Sequence, residues 1–151
     1  MATWLMKSEP ESFSIDDLKA RRREPWDGVR NFQARNYMLK QMVVGDRVFF
    51  YHSNCKVPGV VGLAKVASKP YADPSQFDAS SKYYDPDSPT EKPRWWLVDV
   101  AFVKKFRRVV SLDELRTHAG ELTGMALLQT GSRLSVQPVS DEHAQFILGL
   151  V

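Results

Sequence analysis

The chain has 151 residues, of which 43% are hydrophobic and 26% are charged, and its formal net charge is +3 with a pI near 9.0. This composition excludes an intrinsically disordered chain, and the length suffices to bury a core without a metal or disulfide staple. The mildly basic charge permits nucleic-acid binding through phosphate neutralisation but does not require it.

The N-terminal region gives no sign of a targeting segment. Its apolar run is interrupted by Ser8, Glu9 and Pro10, which is too early for a signal peptide or a membrane span. The single cysteine, Cys55, cannot form an internal disulfide, and this favours a reducing, intracellular setting. We therefore expect one domain over residues 1–151, with no export and no membrane partner.

The first part of the chain predicts a strand and two short helices. Residues 4–7 form a short apolar run that predicts a first strand, and Ser14 is a typical N-cap for a helix over residues 15–20. A rough helical stripe over residues 31–42 predicts a second helix, which stops before Gly45.

The middle of the chain predicts a β-hairpin followed by a long loop. Residues 47–52 and 57–66 are β-rich runs joined by a short polar connection. Within the second run, Gly59 and Gly62 indicate a bulge or a close backbone approach. Residues 70–93 are rich in Pro, Asp, Ser and Tyr, and a loop of this length often carries function.

The last third predicts two strands and two helices. Residues 95–106 alternate and predict the longest strand, and Ser111 begins a capping-box pattern for a helix that ends before Gly120. Residues 133–137 predict a late strand, and Ser140 opens a C-terminal helix. The whole pattern predicts an α+β fold, with a curved mixed β-sheet or small open barrel flanked by short helices.

Few residues are suited to catalysis or metal binding. His52 and Cys55 are the only local pair that resembles a thiol and its base, and a buried cysteine beside a hydrogen-bonding histidine is the simpler interpretation. One cysteine and three scattered histidines provide no zinc spacing, and no glycine-rich phosphate loop follows a strand. We therefore expect no cofactor, no metal and no catalytic residues.

Residues 26–36 are the most informative segment for function. They combine an aromatic ring, amides and guanidinium groups, which a nucleotide site needs to stack a base, read its edge and hold phosphate. The candidates are Trp26, Arg30, Asn31, Gln33 and Arg35. In the alternative interpretation, Trp26 and Phe32 belong to the core and both arginines form ordinary surface pairs.

Polar residues at the ends of two predicted strands are placed to converge on the same site. They are Lys7, Ser8, His52, Ser53 and Asn54. Trp95 and Trp96 are adjacent on a strand and must face opposite sides, and we expect Trp95 to face the site. In the long loop, Tyr83 and Tyr84 are candidate lid residues, or they pack the loop onto the body.

Two basic clusters are candidates for phosphate contact. They contain Arg21, Arg22, Arg23, Lys104, Lys105 and Arg107. Clusters on both sides of one site would form a track for a nucleic-acid backbone, although most such runs are solvated faces.

Several segments, in the same order over nearly the whole chain, carry a resemblance to a known family. They are residues 4–10, 26–31, 33–36, 49–55, 98–100, 102–103 and 133–138. With these segments the chain resembles the EVE-domain family of the PUA-like superfamily. The resemblance implies a PUA-like fold, similar to that of the YTH readers of methylated adenine, with a pocket for one extruded, modified base. The positions that match the family's pocket are Lys7, Ser8, Trp26, Arg30, Asn31, Ser53 and Asn54.

The resemblance implies a nucleic-acid-binding module whose partner is DNA or RNA with a modified base, such as a modified cytosine in DNA. We expect a flipped or unpaired base to enter the pocket and stack on Trp26. The base edge and phosphate would then be held by Asn31, Ser53, Asn54, Lys7 and Arg30.

Two alternatives remain open at this stage. A small hydrolase or RNA-modification-associated enzyme would use Lys7 with Asp27, or His52 with Cys55. A protein-interaction adaptor would use residues 78–92. We expect a monomer, and because the long basic N-terminal extension of the family's eukaryotic nuclear member is absent, the expected location is the cytoplasm of a bacterium.

Overall fold

The computed structural model describes residues 1–151, which form eight strands and four α-helices. The strands are β1 (Thr3–Ser8), β2 (Arg23–Pro25), β3 (Arg47–His52), β4 (Gly59–Val66), β5 (Tyr71–Ala72), β6 (Trp96–Leu97), β7 (Asp99–Ser111) and β8 (Val136–Val139). The helices are α1 (Ile15–Arg21), α2 (Phe32–Asn36), α3 (Leu112–Thr117) and α4 (Asp141–Leu148). A π-helical turn, Tyr37–Gln41, continues α2, and 3₁₀ turns occupy Pro74–Phe77 and Ala126–Leu128.

Six strands form one mixed sheet in the order β2-β7-β4-β3-β1-β8, and β5 and β6 form a separate pair. Only β1 and β3 are parallel; the other neighbours are antiparallel. The sheet curls into a half-barrel whose edge strands, β2 and β8, stay apart, so the predicted α+β fold with a curved mixed sheet is confirmed.

Register shifts in β4 bend the sheet, and the predicted close approach at its glycines is confirmed. A Cβ atom on Gly62 would lie 2.5 Å from the carbonyl oxygen of Lys104 on the neighbouring strand. Only glycine therefore allows β4 and β7 to pair at this point.

The predicted helix starts at three serines are confirmed. The side chains of Ser14, Ser111 and Ser140 each accept a hydrogen bond from a backbone N–H in the first turn of a helix. At Ser14 the capping box is complete, because the carboxylate of Asp17 accepts a hydrogen bond from the backbone N–H of Ser14.

Three predicted elements differ from the structure. The helix predicted over residues 31–42 is divided into α2 and a π-helical turn. The strand predicted over residues 95–106 is divided between β6 and the longer β7, which extends to Ser111. The late strand begins at Val136 rather than residue 133, so residues 133–135 are left in a loop.

Each face of the sheet covers its own hydrophobic core, because successive strand residues point to opposite faces. Trp4, Met6 and Phe50 lie on one face, in the same cluster as residues of α1 and α2. Leu5 and Phe49 lie on the other, in the same cluster as residues of α3 and α4. None of the helices has both the length and the hydrophobicity that a membrane crossing requires.

Candidate functional site

A cleft of about 710 Å³ opens beside the carboxyl ends of β1 and β3. Because these strands are parallel neighbours, Ser8 and His52 pair at the end of the register, and the residues around them lie side by side. The segment between β2 and α2, the long loop after β5 and the loop before β8 complete the walls. The predicted residues that line the cleft are Lys7, Ser8, Arg21, Trp26, Arg30, Ser53 and Asn54.

Trp26 belongs both to the core and to the cleft. Its ring is buried and meets Phe50 edge to face, with 5.5 Å between the ring centroids. The indole N–H groups of the other three tryptophans donate to Asp46, Asp85 and the carbonyl oxygen of Pro93. The N–H of Trp26 has no partner within the protein, and it is not sealed from solvent. It is therefore free to donate to a ligand in the cleft.

Lys7 is a lining residue of the cleft and carries an unpaired ammonium group, which lies beside Tyr51 of the core on the other face of the sheet. No carboxylate lies within ion-pair distance of it, and Nζ lies 5.8 Å from the ring centroid of Tyr51. Burial lowers the pKa of Lys7, because protein atoms replace part of the water around its charge. An anionic ligand would restore the stabilisation that this water provided.

The strand ends around Lys7 are held by local hydrogen bonds. The hydroxyl of Ser8 donates to the carbonyl oxygen of Phe13 over 2.6 Å. The backbone N–H of Ser53 donates to the carbonyl oxygen of Ser8 over 3.0 Å. Asn54 has a φ of 51° and donates its amide to Glu9. These contacts fix the mouth of the cleft.

Arg30 lines the cleft but uses all five of its guanidinium N–H groups within the protein. Nε donates to the carbonyl oxygen of Tyr83; Nη1 donates to that of Val29 and to Asp73; Nη2 donates to Ser75 and again to Tyr83. The structure therefore gives Arg30 the role of holding the long loop, and in this arrangement it has no donor left for phosphate.

Asp73 is the centre of the network that joins this loop to residues 26–30. Its carboxylate is buried and accepts hydrogen bonds from the backbone N–H of Gly28, from Arg30 and from Ser75. Burial raises the pKa of Asp73, but these hydrogen bonds outweigh burial and hold the pKa below its ordinary value.

Tyr83 lies on the cleft, whereas Tyr84 is exposed outside it. Gly28 has a φ of 79°, and a Cβ atom there would lie 2.5 Å from the ring of Tyr83. A side chain at position 28 would therefore displace this ring as well as strain the backbone.

Three predicted binding residues of α2 lie outside the cleft, where they have local roles. Asn31 is the N-cap, and its side chain accepts a hydrogen bond from the backbone N–H of Ala34 over 2.9 Å. Gln33 donates to the hydroxyl of Tyr37, and Arg35 donates to the carbonyl oxygen of residue 94. None of the three lines the cleft, and each side chain is engaged by a neighbouring group instead.

Trp95 and His52 also lie outside the cleft. Trp95 is buried, stacks on Phe32 with 4.8 Å between ring centroids, and donates its N–H to Asp85. Nε2 of His52 accepts a hydrogen bond from the backbone N–H of Ile15 over 3.1 Å, and burial lowers the pKa of this histidine. That nitrogen is therefore occupied and is not a free base for the cysteine three residues later.

The two predicted basic clusters meet on neighbouring strands. Because β2 pairs with β7, Arg23 lies opposite Ala101, and the guanidinium of Arg22 lies 5.7 Å from the ring centroid of Phe102. Arg21 alone reaches the cleft, where it pairs with Glu24.

Acidic residues neutralise part of this basic surface. Arg23 pairs with Asp99, and Lys105 pairs with Asp16. Lys104 and Arg107 are exposed and form no ion pair, so they keep their charge for a partner.

Sequence reasoning missed several residues that line the cleft. They are Glu9, Ser12, Phe13, Glu24, Pro25, Gly28, Val29, Lys82, Ser132, Arg133 and Ser135. Most lie in loops, where no periodic pattern indicates direction. Asp27, which the sequence suggests only as a catalytic residue of the enzyme alternative, lines the cleft as well. No group of three histidine, cysteine or acidic side chains is arranged to hold a metal ion.

Comparison with known proteins identifies the family. The model of the EVE domain matches residues 2–150. The chain belongs to the EVE-domain family. Thymocyte nuclear protein 1 of Mus musculus is 48% identical to it over 165 residues, which cover 97% of this chain and 72% of the relative.

Solved structures of EVE-type proteins share this fold closely. The crystal structure of the human THYN1 protein in complex with DNA containing 5-methylcytosine has a TM-score of 0.94 at 43% identity, covering 99% of this chain and 97% of that one. A protein from Pseudomonas syringae has a TM-score of 0.94 at 47% identity, covering 99% of both chains. The family and the PUA-like fold that the sequence resemblance implied are thus confirmed.

Proposed function

We propose that this EVE-domain protein binds DNA and encloses one extruded, modified base, 5-methylcytosine above all, in the cleft at Trp26. The observation that carries the proposal is a cleft with unpaired donors, in a chain 43% identical to a human protein solved with DNA containing 5-methylcytosine. Enclosure of an extruded base needs an aromatic surface and polar groups that are free to read the base edge.

The cleft offers both kinds of group. Trp26 and Tyr83 provide aromatic surface, and a base stacked on such a ring gains roughly 1–3 kcal/mol. The free N–H of Trp26 and the hydroxyl of Ser53 are available to the base edge. The methyl group of 5-methylcytosine adds only about 0.8 kcal/mol on burial, which corresponds to about a fourfold preference over cytosine.

Phosphate contacts fall to cations that have no acidic partner. In the cleft these are Lys7, Lys82 and Arg133, and on the strand surface they are Lys104 and Arg107. Arg30, whose donors are all occupied, acts instead on the shape of the cleft. DNA affinity should therefore fall as the salt concentration rises, and the slope of log affinity against log salt should increase with the number of these cations that contact phosphate.

Fluorescence anisotropy with matched oligonucleotides tests the proposal. DNA and RNA, single and double stranded, would carry cytosine, 5-methylcytosine, 5-hydroxymethylcytosine or N6-methyladenine at one position. We expect tighter binding to 5-methylcytosine DNA than to cytosine DNA. Equal, weak binding to every oligonucleotide would contradict the proposal, and a preference for modified RNA would replace DNA as the partner.

Lys7→Met tests whether this binding uses the cleft. Removal of the unpaired ammonium should reduce the slope of log affinity against log salt by about 0.7–0.9. Lys40→Met is the matched control, because Lys40 is exposed and lies outside the cleft. Equal slopes for wild type and Lys7→Met would place the binding elsewhere.

The titration behaviour of Lys7 and Asp27 favours one competing function, hydrolysis of a nucleoside or oligonucleotide. Both groups line the cleft, burial lowers the pKa of Lys7, and the pKa of Asp27 is raised by partial burial and by the nearby Asp73 and Glu24. Perturbed titratable groups in a cleft are characteristic of active sites. Turnover that Lys7→Ala abolishes would support the enzyme, whereas binding without turnover would support the reader.

A further inference from the structure

Asp27 is an acid of the cleft whose side chain has no hydrogen-bond donor. Glu9 accepts from Asn54, and Glu24 accepts from Arg21, but no side chain or backbone N–H of another residue donates to the carboxylate of Asp27. The neighbouring Asp73 is likewise saturated by its partners. Asp27 is therefore a free acceptor on the cleft wall.

Asp27 is exposed, so water reaches this free acceptor, although protein atoms cover part of its surface. Protein atoms remove part of its hydration, and the negative charges of Asp73 and Glu24 lie close by, so its pKa is raised. Arg30 is near, but its N–H groups donate to other acceptors. A base that enters the cleft would displace this water, and it must then supply a hydrogen-bond donor to the carboxylate in its place.

The free groups around Asp27 match the edge of one class of base. Cytosine presents an exocyclic amine beside two acceptors, N3 and O2, whereas thymine presents O4 where cytosine has its amine and carries a hydrogen on N3. The cleft presents the free carboxylate of Asp27 next to Trp26, whose indole N–H is a free donor. Carboxylates accept from the cytosine amine, but they repel the O4 of thymine.

We infer that Asp27 is a specificity residue that accepts a hydrogen bond from the exocyclic amine of the enclosed base and so excludes thymine. The inference rests on the proposed function and adds to it the residue that separates 5-methylcytosine from thymine. Because 5-methylcytosine and thymine both carry the 5-methyl group, a methyl-binding surface cannot separate them. The carboxylate of Asp27 can, and a well-formed contact to a base edge discriminates by about tenfold.

The test compares 5-methylcytosine, cytosine and thymine at one position of a DNA duplex, each opposite an abasic site. This placement removes the difference in pairing strength, which would otherwise make a mismatched base easier to extrude. For the wild type we expect 5-methylcytosine to bind about tenfold more tightly than thymine.

Two variants at position 27 and one control complete the experiment. The carboxamide of Asp27→Asn both donates and accepts, so the ratio of thymine to 5-methylcytosine dissociation constants should fall to within about threefold. Asp27→Ala should lose affinity for 5-methylcytosine and not for thymine. Asp113→Asn, which removes one exposed carboxylate from α3, should keep the wild-type ratio.

The outcomes separate this inference from the function on which it rests. The amine is common to cytosine and 5-methylcytosine, so the preference between these two bases should survive Asp27→Asn. A wild-type ratio of thymine to 5-methylcytosine dissociation constants in Asp27→Asn, with normal melting temperature, would overturn the role of Asp27 and leave the reader intact. Absence of any preference for 5-methylcytosine over cytosine in the wild type would overturn the reader itself.

Discussion

Trp26 and Trp95 are equally buried, each with 7% exposure, but their polar surroundings are opposite. Around Trp95 the polar groups are paired: its indole N–H donates to Asp85 over 2.7 Å, and Gln76 bonds both its backbone N–H and its carbonyl oxygen. At Trp26, the indole N–H and the carboxylate of the adjacent Asp27 have no side-chain or ion-pair partner.

The difference shows that two equally buried tryptophans have opposite polar surroundings, so burial alone does not separate scaffold from candidate site in this protein. Buried polar groups are normally paired, because an unpaired one costs free energy. The paired region around Trp95 holds the long loop in place. The groups at Trp26 keep their hydrogen-bonding capacity, which the proposed function assigns to a base.

Asp73→Ala should have the largest effect, because it breaks the paired region. It would leave the guanidinium of Arg30 and the N–H of Gly28 without their acceptor, at a cost of about 3 kcal/mol in the free energy of unfolding. For a chain of this size, that lowers Tm by about 9 °C. Thermal unfolding measures it, with the exposed Asp113→Ala as control; equal Tm values would contradict the assigned role.

The stability that Asp73 provides should also depend on pH. Because its folded pKa lies below the ordinary value, the contribution is present above the unfolded pKa and is lost as the pH falls through the folded pKa. The difference in unfolding free energy between wild type and Asp73→Asn should therefore shrink below about pH 4. A difference that stays constant into acid would show that the carboxylate charge is not responsible.

Exchange of each tryptophan for phenylalanine sharpens the comparison directly. Trp26→Phe keeps an aromatic ring against Phe50 but loses the free N–H, so DNA affinity should fall about fivefold, as one hydrogen bond predicts. Trp95→Phe loses a satisfied hydrogen bond, so it should lower Tm and leave affinity within about twofold. Anisotropy and thermal unfolding on both variants measure the two effects. A loss of DNA affinity in Trp95→Phe but not in Trp26→Phe would contradict the comparison.

Lys7 should give the smallest effect, a change in how binding responds to pH. Because burial lowers its pKa, its charge is lost at a lower pH than that of an exposed lysine, and phosphate affinity should fall as the pH rises through this pKa. Lys7→Arg keeps the charge throughout and should remove the decline. Affinity measured from neutral to alkaline pH at constant ionic strength tests this, and parallel curves would contradict it.

Much of the fold could be predicted from local sequence. Ser14, Ser111 and Ser140 start helices because a hydroxyl satisfies first-turn N–H groups, and this signal needs no tertiary information. The division of the predicted strand near Val98 and the π-helical turn at Tyr37–Gln41 depend on packing against other elements, so periodicity did not show them.

Part of the candidate site could be predicted from strand ends, and part, Trp26 and Arg30, from the residue types of segment 26–36. Lys7 and Ser53 both line the cleft because β1 and β3 are parallel neighbours. The polar residues at the ends of two predicted strands indicated this convergence. Trp95 and Asn31 have the right chemistry for a base site, but one is stacked away under Phe32 and the other caps a helix. Residue type gave the kind of site, and side-chain direction, which the sequence did not contain, decided its members.

The position of β1 has a consequence for biosynthesis. Thr3 pairs with Arg47 on one side and with Val139 on the other, so β1 lacks one of its two neighbours until β8 has been synthesised. The loop before β8 also supplies Arg133 to the cleft. Contacts this distant in sequence form late in folding. A growing chain in which β8 has not yet docked on β1 therefore has an incomplete cleft.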